Sequence, residues 1–248
     1  MIKKQHPEFT DDDDGDFTNI GDVWGKEIPL KPELIEGVLR EGHKMMIAGP
    51  SKAGKSFSLI ELATCISYGL PWMGRFNCKS GKVLYINMEL DPNSCRNRFY
   101  RVQEAMEVLD KVPAFPCHVW NLRGHVVPMD KLTEITIRRY RHSGYAAIII
   151  DPIYKVLTGS ENNAYDMAQF CNYFDRISTE CNCAVIYCHH HSKGAQGGKR
   201  SMDRASGSGV FARDPDAMLD MTELTPTDAI REQLHNKAAC RVIKAMLD

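Results

Sequence analysis

The sequence predicts an α/β domain in which a mostly parallel β-sheet lies between layers of helices. Three observations carry this reading. Short apolar runs recur through the chain, stretches of helical length separate them, and the central runs are apolar without interruption. Strands buried on both faces of a parallel sheet read this way, whereas half-exposed antiparallel strands alternate.

The elements follow in order. Residues 44–49 (KMMIAG) predict the first strand, followed by a Gly-containing turn and a helix over about 54–68. After the turn signal Ser80-Gly81, residues 82–88 (KVLYINM) predict the second strand. A helix is expected over 91–109, with Asp91 as N-cap and Pro92 in the first turn. Residues 116–120 predict a short third strand, and 128–142 a helix facing Met129, Leu132, Ile135 and Ile137 inward. The run 145–150 (YAAIII) predicts a buried fourth strand, 163–181 a helix, and 183–188 (CAVIYC) a buried fifth strand. Residues 209–212 and 217–222 are expected as two C-terminal antiparallel strands, and 229–247 as a final amphipathic helix. Ligands are expected where the parallel strands end at their C-terminal tips.

A chain of 248 residues with 43% hydrophobic side chains is large enough for one such domain and too apolar for a disordered one. No run approaches the roughly 18 consecutive apolar residues of a membrane span, and residues 1–17 lack the apolar core of a secretory signal. The nine cysteines are an odd number and scattered, which suits reduced thiols in the cytoplasm better than a disulfide scaffold. Charge is uneven. Residues 1–30 hold eight acids against three lysines, a net of −5, so the rest of a chain of net −1 carries +4. The domains expected are an acidic arm over 1–29, a main α/β domain over 30–225 and a C-terminal helical segment over 226–248. The arm reads as solvated, with docking on a partner or competition with DNA as alternatives. The final helix stops at Leu247-Asp248 without a capping glycine, so a further C-terminal segment is expected.

In the main domain, residues 49–56, GPSKAGKS, match G-x-x-x-x-G-K-[ST] at every fixed position, which makes residues 30–225 an expected P-loop ATPase domain. Residues 49–56 sit after an apolar strand and at the start of a helix, where the motif works. Backbone amides and the helix N-terminus converge on phosphate there. The nucleotide-binding residues are therefore Gly49, Ser51, Lys52, Ala53, Gly54, Lys55, Ser56 and Phe57. Gly54 lets the backbone approach closely. Lys55, expected in a solvent-facing loop, reaches the β- and γ-phosphates, and Ser56 offers a hydroxyl to Mg²⁺.

Two acids complete the pattern. Asp151 ends the run Ile148-Ile149-Ile150 and can hold the water shell of Mg²⁺. Its plainer reading is a strand-ending aspartate before Pro152. Glu89 follows the second strand and is either a surface glutamate or the base that polarises attacking water. The cluster Cys188-His189-His190-His191 with Cys181 and Cys183 raises zinc, but a strand separates Cys183 from Cys188 by about 16 Å on opposite faces. A γ-phosphate sensor or a structural His cluster fits better.

Together GPSKAGKS at 49–56, NMEL at 87–90, IIIDP at 148–152 and HHSKG at 190–194 resemble the RecA-like P-loop ATPases. They look most like the RepA-like hexameric helicase branch of plasmids and mobile elements, over residues 30–222. Gly42 and GSENN at 159–163 add to the likeness. The resemblance implies Glu89 as catalytic base and His190 as γ-phosphate sensor; were Glu89 dispensable, Glu161 would be the next candidate base. The resemblance also implies an arginine that reaches a neighbouring subunit's nucleotide. The branch places it directly before a Gly-Ser segment, where this chain has Ser206, so Arg204 is the candidate, with Arg200 and Arg213 behind it. Lys193, Lys199 and Arg200 lie in a Gly-rich stretch that in such rings faces a central channel, and are candidates to track single-stranded DNA. A solvated loop is the plainer reading. The expectation is a homo-oligomeric, DNA-dependent ATPase using ATP and Mg²⁺, with no membrane association. A non-motor ATPase switch acting on a protein and a small-molecule kinase are the alternatives.

Overall fold

The computed structural model describes residues 18–110, 116–125, 127–157, 159–160, 163–190 and 210–222. The acidic run 11–16, Glu161, Lys193, Lys199, Arg200, Arg204 and the expected helix 229–247 lie outside them. The chain divides into two compact units, residues 1–31 and 32–248. In the first, helix α1 (Ile20–Val23) starts at Asn19, whose side chain accepts from the Gly21 N–H. Its large apolar side chains are exposed, Trp24 at 82%.

The second unit is built on six strands: β3 (Lys44–Gly49), β6 (Lys82–Asn87), β7 (Cys117–Asn121), β8 (Tyr145–Asp151), β9 (Ala184–His190) and β10 (Ala217–Asp220). Their order across the sheet is β10-β3-β9-β8-β6-β7. Every neighbouring pair is parallel. Two small hairpins flank it, β1 (Glu33–Ile35) with β2 (Leu39–Arg40), and β4 (Pro71–Trp72) with β5 (Phe76–Asn77).

Alternation within the buried strands divides the core. One layer joins Met46, Leu84, Ile148, Ile150, Val185 and Tyr187 to the apolar faces of α4 (Met129–Tyr140) and α5 (Ala164–Glu180). Phe174 of α5 stacks on Tyr187 with ring centroids 4.2 Å apart. The other layer joins Met45, Ile47, Tyr85, Ile149 and Ile186 to α2 (Lys55–Tyr68) and α3 (Pro92–Ala105). Asp91 caps α3 as expected, accepting from the N–H groups of Asn93 and Ser94, with Pro92 in the first turn. In α4, Met129, Leu132 and Ile137 are buried, but Ile135 is only half-buried. Thr133 and Thr136 take the inner places, and the Thr133 hydroxyl is satisfied by the Met129 carbonyl at 2.8 Å.

The expected C-terminal antiparallel pair is not formed. Residues Val210–Arg213 are a helical turn, and β10 runs parallel to β3. The reason is the length of chain between His190 and Ala217, which suits a crossover past β3 to the sheet edge and not a tight hairpin. The segment leading into β10 is pinned on the α4/α5 side of the sheet. Phe211 packs against Phe170 and Tyr187, at 6.0 and 5.9 Å between centroids. The buried Lys44 ammonium meets Asp175 at 2.6 Å and Asp214 at 2.9 Å, while its N–H donates to Asp216 at 2.8 Å. Those two carboxylates hold the Lys44 pKa above the usual lysine value, although burial alone would lower it.

Candidate active site

Parallel pairing brings the C-terminal tips of the strands to one edge. In register, Gly49 lies beside His190, and Asn87 lies between Asp151 and Asn121. The loop after β3 turns on Lys52 and Gly54, with φ of 64° and 87°, and delivers the chain into α2. Gly54 meets that left-handed geometry without steric cost, whereas Lys52 adopts it as a non-glycine. Gly49 is favoured for another reason. A Cβ there would stand 3.0 Å from the Cβ of Met221, which follows β10.

Lys55 is not solvent-facing as the sequence suggested; it is 5% exposed. As the first residue of α2 it folds back under the loop. Its ammonium donates to the carbonyls of Gly49 at 2.9 Å and Pro50 at 2.7 Å, and stands 3.1 Å from His190 Nδ1. Burial lowers its pKa below the ordinary lysine value, against the opposing pull of Cys188, Asp151 and Glu89. With Lys55 as the cation, His190 Nδ1 accepts and the imidazole proton sits on Nε2.

Asp151 is buried at 4% exposure. Tyr85 donates its hydroxyl to Oδ2, and the Cys188 thiol lies 2.9 Å from Oδ1. The carboxylate is thus clamped between β6 and β9 with one lone pair engaged on each oxygen. Burial and the adjacent carboxylate push both the Tyr85 phenol and the Cys188 thiol well above their ordinary pKa values, which keeps them as donors. Glu89 projects from the turn after β6 and is exposed. Its Oε1 accepts from the Tyr154 hydroxyl at 3.3 Å, and the Tyr154 ring lies 5.4 Å from that of His190.

The phosphate loop, Glu89, Asp151 and His190 line one cavity of about 420 Å³, together with Arg98 and Tyr154. All eight residues expected to bind nucleotide, apart from Gly49 just behind the loop, line it. Arg213 stands at the end of its helical turn and is exposed. Cys183 and Cys188 fall in opposite core layers. Among the described residues no group of three or more His, Cys, Asp or Glu is arranged to hold a metal. Hard oxygen donors are present in the cavity at Ser56 and Asp151, a sparse set that suits a cation held mainly by water and phosphate.

Four residues of the site were not read from sequence. Cys188 was readable in principle, since a strand places residues 188 and 190 on the same face. Tyr85 follows from the same period-2 rule applied to β6. Arg98 reaches the cavity from α3, its guanidinium 5.0 Å over the Phe57 ring, and nothing in its local pattern marks it. Tyr154 depends on the short 3₁₀ turn Ile153–Lys155, which sequence did not predict.

A protein-family model described as an AAA domain matches residues 16–196, which include the whole phosphate loop, Glu89, Asp151 and His190.

Proposed function

Because the chain belongs to the AAA-domain family of P-loop ATPases, we propose that it is an oligomeric ATPase acting on single-stranded DNA. In this reading ATP hydrolysis drives translocation along, or remodelling of, DNA in the replication or mobilisation of a plasmid, phage or integrated element. The observation that supports it is the meeting of Lys55, Asp151, Glu89 and His190 at one cavity. The order of these motifs along the chain resembles that of the RepA-like branch.

The loop amides and the α2 N-terminus bind the triphosphate, and Lys55 exchanges a carbonyl for a phosphate oxygen. Bound through Ser56 and Asp151, Mg²⁺ would neutralise charge on the β- and γ-phosphates. Glu89 takes the proton of the attacking water. His190, linked to Lys55 by hydrogen bonding, registers whether the γ-phosphate is present. When Lys55 turns toward phosphate, the contact at 3.1 Å changes and is felt along β9. Beyond β9 lie Lys193, Lys199 and Arg200, the proposed contacts to DNA phosphates. Arg204 is proposed to enter the neighbouring subunit's site, a role worth about 10³–10⁵ in rate in other NTPases. The eight cysteines described are free thiols, which fits the proposed cytoplasmic location.

One observation favours a second reading, a non-motor switch acting on a protein. In the N-terminal unit Ile20, Trp24, Ile28 and Leu30 are all exposed. Four large exposed apolar side chains within residues 20–30 would suit a contact with a protein partner. Phosphate release measured with and without a single-stranded oligonucleotide separates the two. The DNA reading expects turnover to rise severalfold and the rise to fade with added salt. Turnover indifferent to DNA would move the assignment to the switch.

A further inference from the structure

We propose that Asn87 is the positioning residue for Glu89, its amide oriented by the backbone of Glu89 and Leu90 and bonded across the sheet to Asn121. The inference rests on Glu89 acting as the base.

Asn87 ends β6 and is 1% exposed, yet its side chain is polar. Its Oδ1 accepts from the N–H groups of Glu89 at 3.3 Å and Leu90 at 2.9 Å. Its Nδ2 donates to the Leu90 carbonyl and to Asn121 Oδ1, both at 2.7 Å. Two donors and two lone pairs are the whole capacity of a carboxamide, and all are used. The orientation is therefore unique. A flipped amide would set Oδ1 against two carbonyl oxygens and Nδ2 against two N–H groups.

The effect is local and mechanical. The side chain closes the turn 87–90 on itself and fixes where the Glu89 Cα stands relative to the sheet. Neighbouring strands hold Asn87 in turn. The Leu122 N–H donates to the Asn87 carbonyl at 2.8 Å, and the Met88 N–H to that of Asp151 at 2.8 Å. Glu89 itself is exposed, so its aim depends on this backbone frame more than on packing. Asn87 thereby ties the proposed base to Asp151, the acid one strand away. A misplacement of about 1 Å at a reacting group costs on the order of 10²-fold in rate.

The test is a double-mutant cycle in the full chain. Asn87→Ala and Asn87→Asp are each made alone and combined with Glu89→Gln. Steady-state kcat and KM, binding of Mg-ATP and thermal midpoint are measured for each. Asn87→Asp keeps the volume and the acceptor for the two N–H groups. It sets an oxygen against Leu90 and Asn121, so it carries the test even if the alanine variant folds poorly. The expected result is a kcat lower by about 10- to 100-fold, with KM and Mg-ATP binding within about 3-fold. In the Glu89→Gln background the same change lowers the residual rate no further. Equal losses in both backgrounds, an unchanged kcat, or a loss explained by weaker nucleotide binding would overturn the role. Full turnover in Glu89→Gln alone would remove the base assignment, and this inference with it.

Discussion

Replacing Lys55 with alanine or methionine is expected to lower ATP turnover by at least about 10³-fold, because the ammonium is proposed to turn from the loop carbonyls to the phosphates and offset the charge that develops there. The two variants separate chemistry from folding. The side chain is buried and bonded to the Gly49 and Pro50 carbonyls, so alanine also leaves those acceptors unpaired and a small void. Methionine leaves the same two acceptors unpaired but keeps most of the stem, so it removes the ammonium without opening the void. Phosphate release and thermal unfolding should show both variants inactive, with alanine the less stable. A methionine variant retaining a tenth of normal turnover would exclude Lys55 from the chemistry.

Glu89→Gln is expected to reduce kcat by about 10²–10⁴-fold while Mg-ATP still binds. Glu89 stands in an exposed turn and accepts from the Tyr154 hydroxyl at 3.3 Å, a bond that the glutamine carbonyl can also accept. Its stability should therefore stay within about 0.5 kcal/mol. Equilibrium binding of a fluorescent ATP analogue, measured beside turnover, checks the separation. Loss of binding together with turnover would make Glu89 a binding group and not a base.

These effects are legible in the sequence to different degrees, and the differences are physical. Gly49 to Ser56 is a local device: its spacing along the chain alone sets the loop, so the motif reads directly. The strands 44–49, 145–150 and 183–188 read because burial on both faces removes every polar alternation. Direction was not readable in the same way. Ala217–Asp220 has the apolar character of a strand, but its parallel pairing with β3 is set by the crossover and by Lys44 meeting Asp214. The burial of Lys55 was missed because the loop's own carbonyls take the ammonium, a contact that hydropathy does not encode. Arg98 and Tyr154 enter the cavity by tertiary placement. Asn87 was in plain view within NMEL, but its partner Asn121 lies on the next strand and only the register Asn87–Asn121 brings them together.

The proposed function requires that the cavity at the strand tips hydrolyse ATP with Mg²⁺ held by Ser56 and Asp151. Its most direct test is phosphate release from ATP by the unaltered chain in the presence of single-stranded DNA, followed before and after EDTA is added. Steady release is expected with Mg²⁺, with a fall to background on chelation and recovery when the metal is restored. Release that continues unchanged in EDTA, or that never rises above background with Mg²⁺ and DNA both present, would contradict it.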